Sequence, residues 1–244
     1  WLRINHLDAP FDNVKARHAV QLLVDQEIYL QAIVGTPDLY RTCGAMFLCG
    51  TPYETLAGSE RVMTQDIEKA KALLKEAGYN GEKIVLMHPT DIPALSHATQ
   101  VTASLLRKAG INLEVQAMDW STLTSRRAEK KSIADGGWNI FHTSWIAPDL
   151  LNPVANIGVS GGGVEKAWFG WPTDAKVEEL RQAFARETDP AKQKDLADQV
   201  QARAMDVVTY VPIGQYLSKY AYRSDRLQGI LKGPVPLFWN LSAK

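Results

Sequence analysis

Residues 14–35, VKARHAVQLLVDQEIYLQAIVG, place Val14, Ala16, Ala19, Val20, Leu23, Tyr29, Leu30 and Ile33 at the spacing that gives a helix one apolar face. Asp12 or Asn13 stands where a cap belongs, and Gly35 where the helix must stop. Residues 36–63 hold Pro37, Gly44, Gly50, Pro52 and Gly58 with no sustained period, which predicts a long irregular excursion. Two segments then share one plan: DIEKAKALLKEAGYNGEKIVLMH (66–88) and ALSHATQVTASLLRKAGINLEVQAMD (94–119). Each runs from a helix through Leu-Leu and Ala-Gly into a β-rich stretch, with Gly78 and Gly110 at the left-handed position after the helix. Strands are expected at 84–88, 112–118 and 139–145, with Ser121 capping a short helix after the second. Helix and strand alternate at crossover length, so the strands should be parallel neighbours in a mixed sheet with helices on both faces, an α/β fold. Thr173 and Asp189 start two further helices over 174–187 and 190–208, and TYVPIGQYLSKYAYR (209–223) reads as a strand pair or a strand and turn. The opening WLRINH reads as a strand already under way, as if a preceding segment fed it, and LKGPVPLFWNLSAK (231–244) sets apolar side chains around two prolines with no partner in view.

Composition narrows the function classes. Lys plus Arg and Asp plus Glu number 27 each, so no net basic field gathers nucleic acid or anionic lipid. No stretch reaches the roughly 20 apolar residues of a membrane helix, and 45% hydrophobic content suffices for a sizeable core in 244 residues.

Few motifs carry chemistry. GVSGG at 158–162 matches the Gly-x-Ser-x-Gly pattern of a hydrolase nucleophile at Ser160. The preceding LLNPVANI is not an apolar strand, and His6, His18, His88, His97 and His142 all precede Ser160, so the order Ser, acid, His cannot be built. A glycine loop that lets backbone approach a neighbour is the alternative. The histidines lack metal-ligand spacing, and neither a Walker sequence nor a dinucleotide fingerprint is present, so neither a cofactor nor an enzymatic role is expected. Cys43 and Cys49 enclose GAMFL; a disulfide and two buried thiols both fit, the disulfide requiring an oxidising compartment. Several aromatic residues fall on predicted loops or a strand end, among them Tyr53, Trp145, Trp168, Trp171 and Tyr216, where rigid area suits small-molecule recognition. Trp120, Trp138 and Trp171 suit the plainer task of plugging sheet edges and helix gaps.

In the order they occur, NHLDAPFDNVKARHAVQLLVDQE, DIEKAKALLKEAGY, LLRKAGINLEVQAMDW, WNIFHTSWIAPDLLNP and VVTYVPIGQYLSKYAYRSDRLQGI resemble successive landmarks of the family 5 extracytoplasmic solute-binding proteins of ABC importers. The resemblance implies the C-terminal ligand-binding lobe of a periplasmic-binding-protein type II fold over 1–225, with 226–244 returning to an N-terminal lobe that precedes Trp1. It further implies a periplasmic or membrane-anchored protein that closes on a small-molecule solute, peptide or peptide-like, and delivers it to a membrane permease. Trp145 matches the family's ligand-facing aromatic at the end of HTSW. Asp149 is the nearest carboxylate to the position that pairs with a peptide amine, although Pro148 occupies the matching place; a solvated turn residue is the alternative. His142 stands three before the Trp, where peptide binders often carry Arg. Gln215 and Tyr216 fall where relatives present side chains from the hinge-proximal strand, and Tyr53 in GTPYE matches a ligand-facing loop.

Overall fold

A computed structural model describes residues 1–231, 233 and 235–244. In chain order the strands are β1 Leu2–Ile4, β2 Tyr40–Arg41, β3 Ile84–Pro89, β4 Leu113–Met118, β5 Ile140–His142, β6 Gln215–Tyr216, β7 Leu227–Gln228 and β8 Ser242–Ala243. The α-helices are α1 Val14–Leu22, α2 Gln26–Ile33, α3 Glu60–Met63, α4 Ile67–Glu76, α5 Pro93–Lys108, α6 Trp120–Arg126, α7 Gly163–Lys166, α8 Ala175–Arg186 and α9 Pro190–Val207. The main sheet has the order β1-β5-β3-β4: β3 runs parallel to β4 and to β5, and β1 runs antiparallel to β5. This is the expected mixed α/β sheet.

The repeated helix–strand units form as their pattern predicts. Asp66 accepts from the Lys69 amide to start α4, and Gly78 and Gly110 take φ of +87° and +82° after α4 and α5. Each strand then distributes its side chains with a period of two. Ile84, Leu86, Ile140, Leu2 and Ile4 enter a large core shared with the helices, whereas Val85, Met87 and Phe141 enter a second core with Trp138, Trp171 and Leu123 on the opposite face.

Several boundaries differ from expectation. The single helix over 14–33 is two helices, because Asp25 takes an extended conformation and its carboxylate accepts from the Glu27 and Ile28 amides, starting α2 afresh. The strand expected over 139–145 stops at His142, where the ladder with the short β1 runs out. Asp119 rather than Ser121 caps α6, and Asp174 rather than Thr173 caps α8, in each case because the carboxylate reaches the amide three residues on. The segment 36–63 is irregular apart from a 3-10 turn at Pro37–Leu39, the short β2 and α3. Within it Cys43 and Cys49 form a disulfide, so the two-thiol alternative falls. From Leu217 to Arg226 every residue is exposed, and farther on Phe238 and Trp239 are 70% and 79% exposed. The lobe return expected at 226–244 includes positions 232 and 234, which lie outside the described residues.

Candidate functional site

The carboxyl ends of three parallel strands, at Pro89, Met118 and His142, lie along one edge of the sheet. Open α/β sheets bind ligands in the crevice outside that edge. The chain beyond β5 delivers Ser144 and Trp145 there, and α6 begins two residues beyond β4. The antiparallel β1 brings the residue before it to the same end: the Thr143 amide donates to the Trp1 carbonyl at 3.1 Å, one step beyond the Leu2–His142 pair. Val211 bridges Leu2 from the other side, so 213–216 run past Trp1 as well.

An aromatic wall results. The ring of Trp145, half-buried, meets Trp1 edge-on at 4.8 Å and Trp168 edge-on at 5.2 Å, while Trp1 lies 5.2 Å from Trp168 and 4.4 Å from Tyr210. Edge-to-face packing of this kind fixes the rings relative to one another at modest entropic cost.

Arg3 holds the wall from beneath. Fully buried, its guanidinium donates to the carbonyls of Gly158 (2.7 Å), Trp168 (2.9 Å), Thr209 and Phe169, and it stacks over Trp1 and Trp168. Burial pulls its pKa down to about 9, which leaves it a cation near neutral pH, neutralised by carbonyl dipoles rather than by a carboxylate. Gly170 makes the approach possible. It sits at φ +93°, and a Cβ there would stand 2.3 Å from the Ile4 carbonyl oxygen. Neither Arg3 nor Gly170 announces this role in the sequence, since the partners lie about 165 residues apart.

Between Trp1, Thr143, Ser144 and Tyr216 on one side and Leu30 and Leu95 on the other lies a recess of about 30 Å³. That is room for about one water, far short of the ~300 Å³ of a complete small-molecule site. A larger hollow, about 340 Å³, lies beside the amino end of β3, lined by Pro10, Asn13, Gly78 and Glu82 among others. It is broad, has no aromatic side chain and faces away from the crevice edge, so volume alone does not make it the site.

The structure divides the expected site residues. It brings Trp145 and Tyr216 to the same region, both half-buried, with Trp1 between the Trp145 ring and the recess. Asp149 is exposed in the 3-10 turn Ala147–Leu150, and its carboxylate makes no hydrogen bond among the described residues. His142 is a correction: it is fully buried, its Nε2 2.7 Å from the Thr102 hydroxyl, which in turn lies 2.6 Å from the Tyr29 hydroxyl. The period of two turns His142 under α5 and away from the crevice, and desolvation holds its pKa well below the ordinary value, so it stays neutral. Tyr53 is a second correction, because its ring packs edge-on against Phe184 at 5.2 Å and its hydroxyl donates to Gln193, between α8 and α9. Gln215 is a third. Its Oε1 accepts from the Cys49 amide at 3.2 Å and its Nε2 donates to the Cys49 carbonyl at 3.5 Å. Gln26 treats Cys43 likewise, accepting from its amide and donating to its carbonyl. Both side chains are thereby committed to the disulfide loop.

Ser160 is not a poised nucleophile. It is 5% exposed, and its hydroxyl donates to Glu178, whose carboxylate also accepts from the Gly161 amide and from Arg181. Gly161 meets the Asp174 backbone so closely that a Cβ would stand 2.6 Å from that carbonyl oxygen, the close approach a glycine loop permits.

Residues 1–168 match the family described as bacterial extracellular solute-binding proteins, family 5 middle. A probable peptide ABC transporter periplasmic-binding protein of Sinorhizobium fredii is 39% identical over 98% of this chain and 45% of its own. Di/tripeptide-binding protein 4 of Pseudomonas aeruginosa is 28% identical over 70% of this chain and 32% of its own. The chain therefore spans less than half the length of these relatives. Among solved structures, a dipeptide-binding protein of Pseudoalteromonas in complex with Met-Leu superposes over 100% of this chain and 48% of its own, with a TM-score of 0.78 at 20% identity. These relatives are binding proteins rather than enzymes, and the chain belongs to the family 5 bacterial extracellular solute-binding proteins.

Proposed function

We propose that this chain is the C-terminal lobe of the periplasmic solute-binding component of an ABC importer. Residues 1–225 form the lobe and 226–244 lead back toward an N-terminal lobe. A peptide or peptide-like solute is held between the two and handed to a membrane permease, with no chemical conversion. The aromatic wall of Trp145, Trp168 and Trp1 carries the reading: it stands on the crevice edge of the sheet beside a recess too small to enclose a ligand by itself. Supporting it are the peptide-binding relatives and the exposed apolar side chains at Leu217, Tyr220, Tyr222, Phe238 and Trp239, which a second lobe would cover. In this reading Trp145 packs on the solute, Tyr216 borders it and Asp149 meets a cationic group at the mouth.

The test uses the full-length protein. Peptides should raise its melting temperature, and Trp145→Ala should weaken their binding about 10- to 100-fold while leaving the far-UV circular dichroism unchanged. Indifference to peptides, opines, sugars and metal chelates alike, together with turnover of an ester, would sink the proposal.

A further inference from the structure

Among the asparagines of the chain only Asn80 precedes a glycine, and both Asn80 and Gly81 are exposed, in the connection between α4 and β3. The Asn80 carboxamide and the Gly81 amide make no hydrogen bond to any described residue. Gly81 takes φ +88°, and beyond its chain neighbours no atom lies within 4 Å of the place a Cβ would occupy. The backbone on either side is held nonetheless. The Asn80 amide donates to the Glu82 carboxylate at 2.8 Å, and Asn112 Nδ2 donates to the Gly81 carbonyl at 3.0 Å. The Tyr79 hydroxyl donates to the Glu82 carbonyl at 2.9 Å and accepts from the Asn112 amide at 2.8 Å, which ties the α4–β3 unit to the start of β4. A carboxamide and the next amide are thus left open to each other and to water, with no side chain on Gly81 to shield them. The other candidates lack this combination. At Asp135–Gly136 the amide donates to the Ile133 carbonyl and the carboxylate accepts from the Ser132 hydroxyl; at Asn152 the next residue is Pro153, which has no N–H.

We propose that Asn80 is a site of spontaneous covalent modification, converting to isoaspartate and aspartate through a cyclic imide. The Gly81 nitrogen bonds to Cγ of Asn80 and loses its proton, and the carboxamide nitrogen departs as ammonia. Water then opens the ring. Cleavage between the nitrogen and Cγ gives aspartate; cleavage between the nitrogen and the main-chain carbonyl carbon gives isoaspartate, whose backbone runs through the former side chain. Water is the only co-reactant, and nothing is oxidised or reduced. Either product sets a new carboxylate beside Glu82 and just past the carboxyl end of α4, where negative charge is unfavourable. Isoaspartate also lengthens the main chain inside the short span that the Tyr79 hydroxyl closes on Glu82, so it should loosen the tie to Asn112.

Incubation of the full-length protein in mildly alkaline buffer, with peptide mapping by mass spectrometry and labelling by an isoaspartyl methyltransferase, tests this. In the folded protein Asn80 should exchange its amide nitrogen for oxygen at least about tenfold faster than any other asparagine. That rate should lie within about fivefold of the rate in urea-unfolded protein, because the fold protects neither reacting group. Asn80→Gln, which would have to close a larger ring, should remove the isoaspartate label from that peptide. The aged fraction, separated by ion exchange, should melt below the fresh one. An Asn80 that stays intact in the folded protein while it converts in urea overturns the proposal, as does conversion no faster than at the other asparagines or a label that persists in Asn80→Gln. Aged and fresh fractions that melt together overturn the consequence drawn for the α4–β3 connection.

Discussion

On one face of the sheet Ile84, Leu86 and Ile140 meet the aliphatic residues of α1, α4, α5 and α9; on the other, Val85, Met87 and Phe141 meet tryptophans, with Arg3 and Arg127 stacked on the outer rings. The first face gains stability mainly from apolar burial, with the hydrogen-bonded chain His142–Thr102–Tyr29 beneath α5. The second spends part of its burial on cations, and what those cations position is the edge where ligand is proposed to bind. Arg3→Met separates the two. It leaves the carbonyls of Gly158, Trp168, Phe169 and Thr209 without their donor and should cost about 4 kcal/mol in urea unfolding. Leu86→Ala on the helix-covered face should cost about 3 kcal/mol. The discriminating quantity is affinity: calorimetry on the full-length protein should show peptide binding lost in Arg3→Met, because Trp168 shifts, and kept in Leu86→Ala. Equal affinities would erase the distinction between platform and scaffold.

The two faces also treat ionisable groups differently, and pH exposes this. His142, on the helix side, and His6, bonded to the Val208 carbonyl, are both held well below the ordinary imidazole value, chiefly by desolvation. Near pH 6.5 the unfolded chain therefore takes up protons that the fold refuses, and stability falls as pH falls through that value toward the folded pKa. Each group loses about 1 kcal/mol between pH 6.5 and 5.5, so together about 2 kcal/mol. Urea unfolding at pH 7.5, 6.5 and 5.5 measures the loss, and His142→Gln should reduce it by about 1 kcal/mol. The same slope in the variant would mean that His142 is not one of the groups responsible.

How much of this was legible in the sequence follows from the range of the interactions. The units Ile67–Pro89 and Pro93–Met118 declare themselves because apolar period, cap and glycine all act within one helix and its strand. The break at Asp25 is hidden because Leu22, Leu23 and Val24 continue the helical pattern and only one carboxylate interrupts it. Trp145 is singled out by an ordered set of landmarks rather than by its own neighbourhood. Arg3 and Gly170 carry no local signal, since a buried arginine differs from a surface one only in partners contributed by distant chain. His142 departs from the expected site for a local reason: Ile140 and His142 share the face beneath α5, and the strand ends before alternation reaches Trp145.

The disulfide loop offers a smaller test of scaffold against site. Cys43 and Cys49 close a loop with a sequence separation of 6, and Gln26 and Gln215 bind their backbone groups. Replacing both cysteines by serine should lower stability by about 2 kcal/mol, chiefly through freedom restored to the unfolded chain. Because Gln215 precedes Tyr216 in β6, the variant should also loosen that side of the recess and raise the peptide Kd about two- to threefold. A stability loss with no change in affinity would detach the loop from the site.

Tyr53 is the smallest case and the cleanest, because a resemblance placed it on the ligand and the fold placed it between α8 and α9. Tyr53→Phe keeps the edge-on contact with Phe184 and removes only the hydroxyl that donates to Gln193. The expected cost is about 1 kcal/mol of stability, and peptide affinity of the full-length protein should not change, since nothing along the aromatic wall depends on that hydroxyl. A tenfold loss of affinity with unchanged stability would reverse the assignment and return Tyr53 to the binding surface. Similar peptide affinities for Tyr53→Phe and wild type, beside the loss in Trp145→Ala, would locate recognition at the carboxyl edge of the sheet and leave the α8–α9 layer as its support.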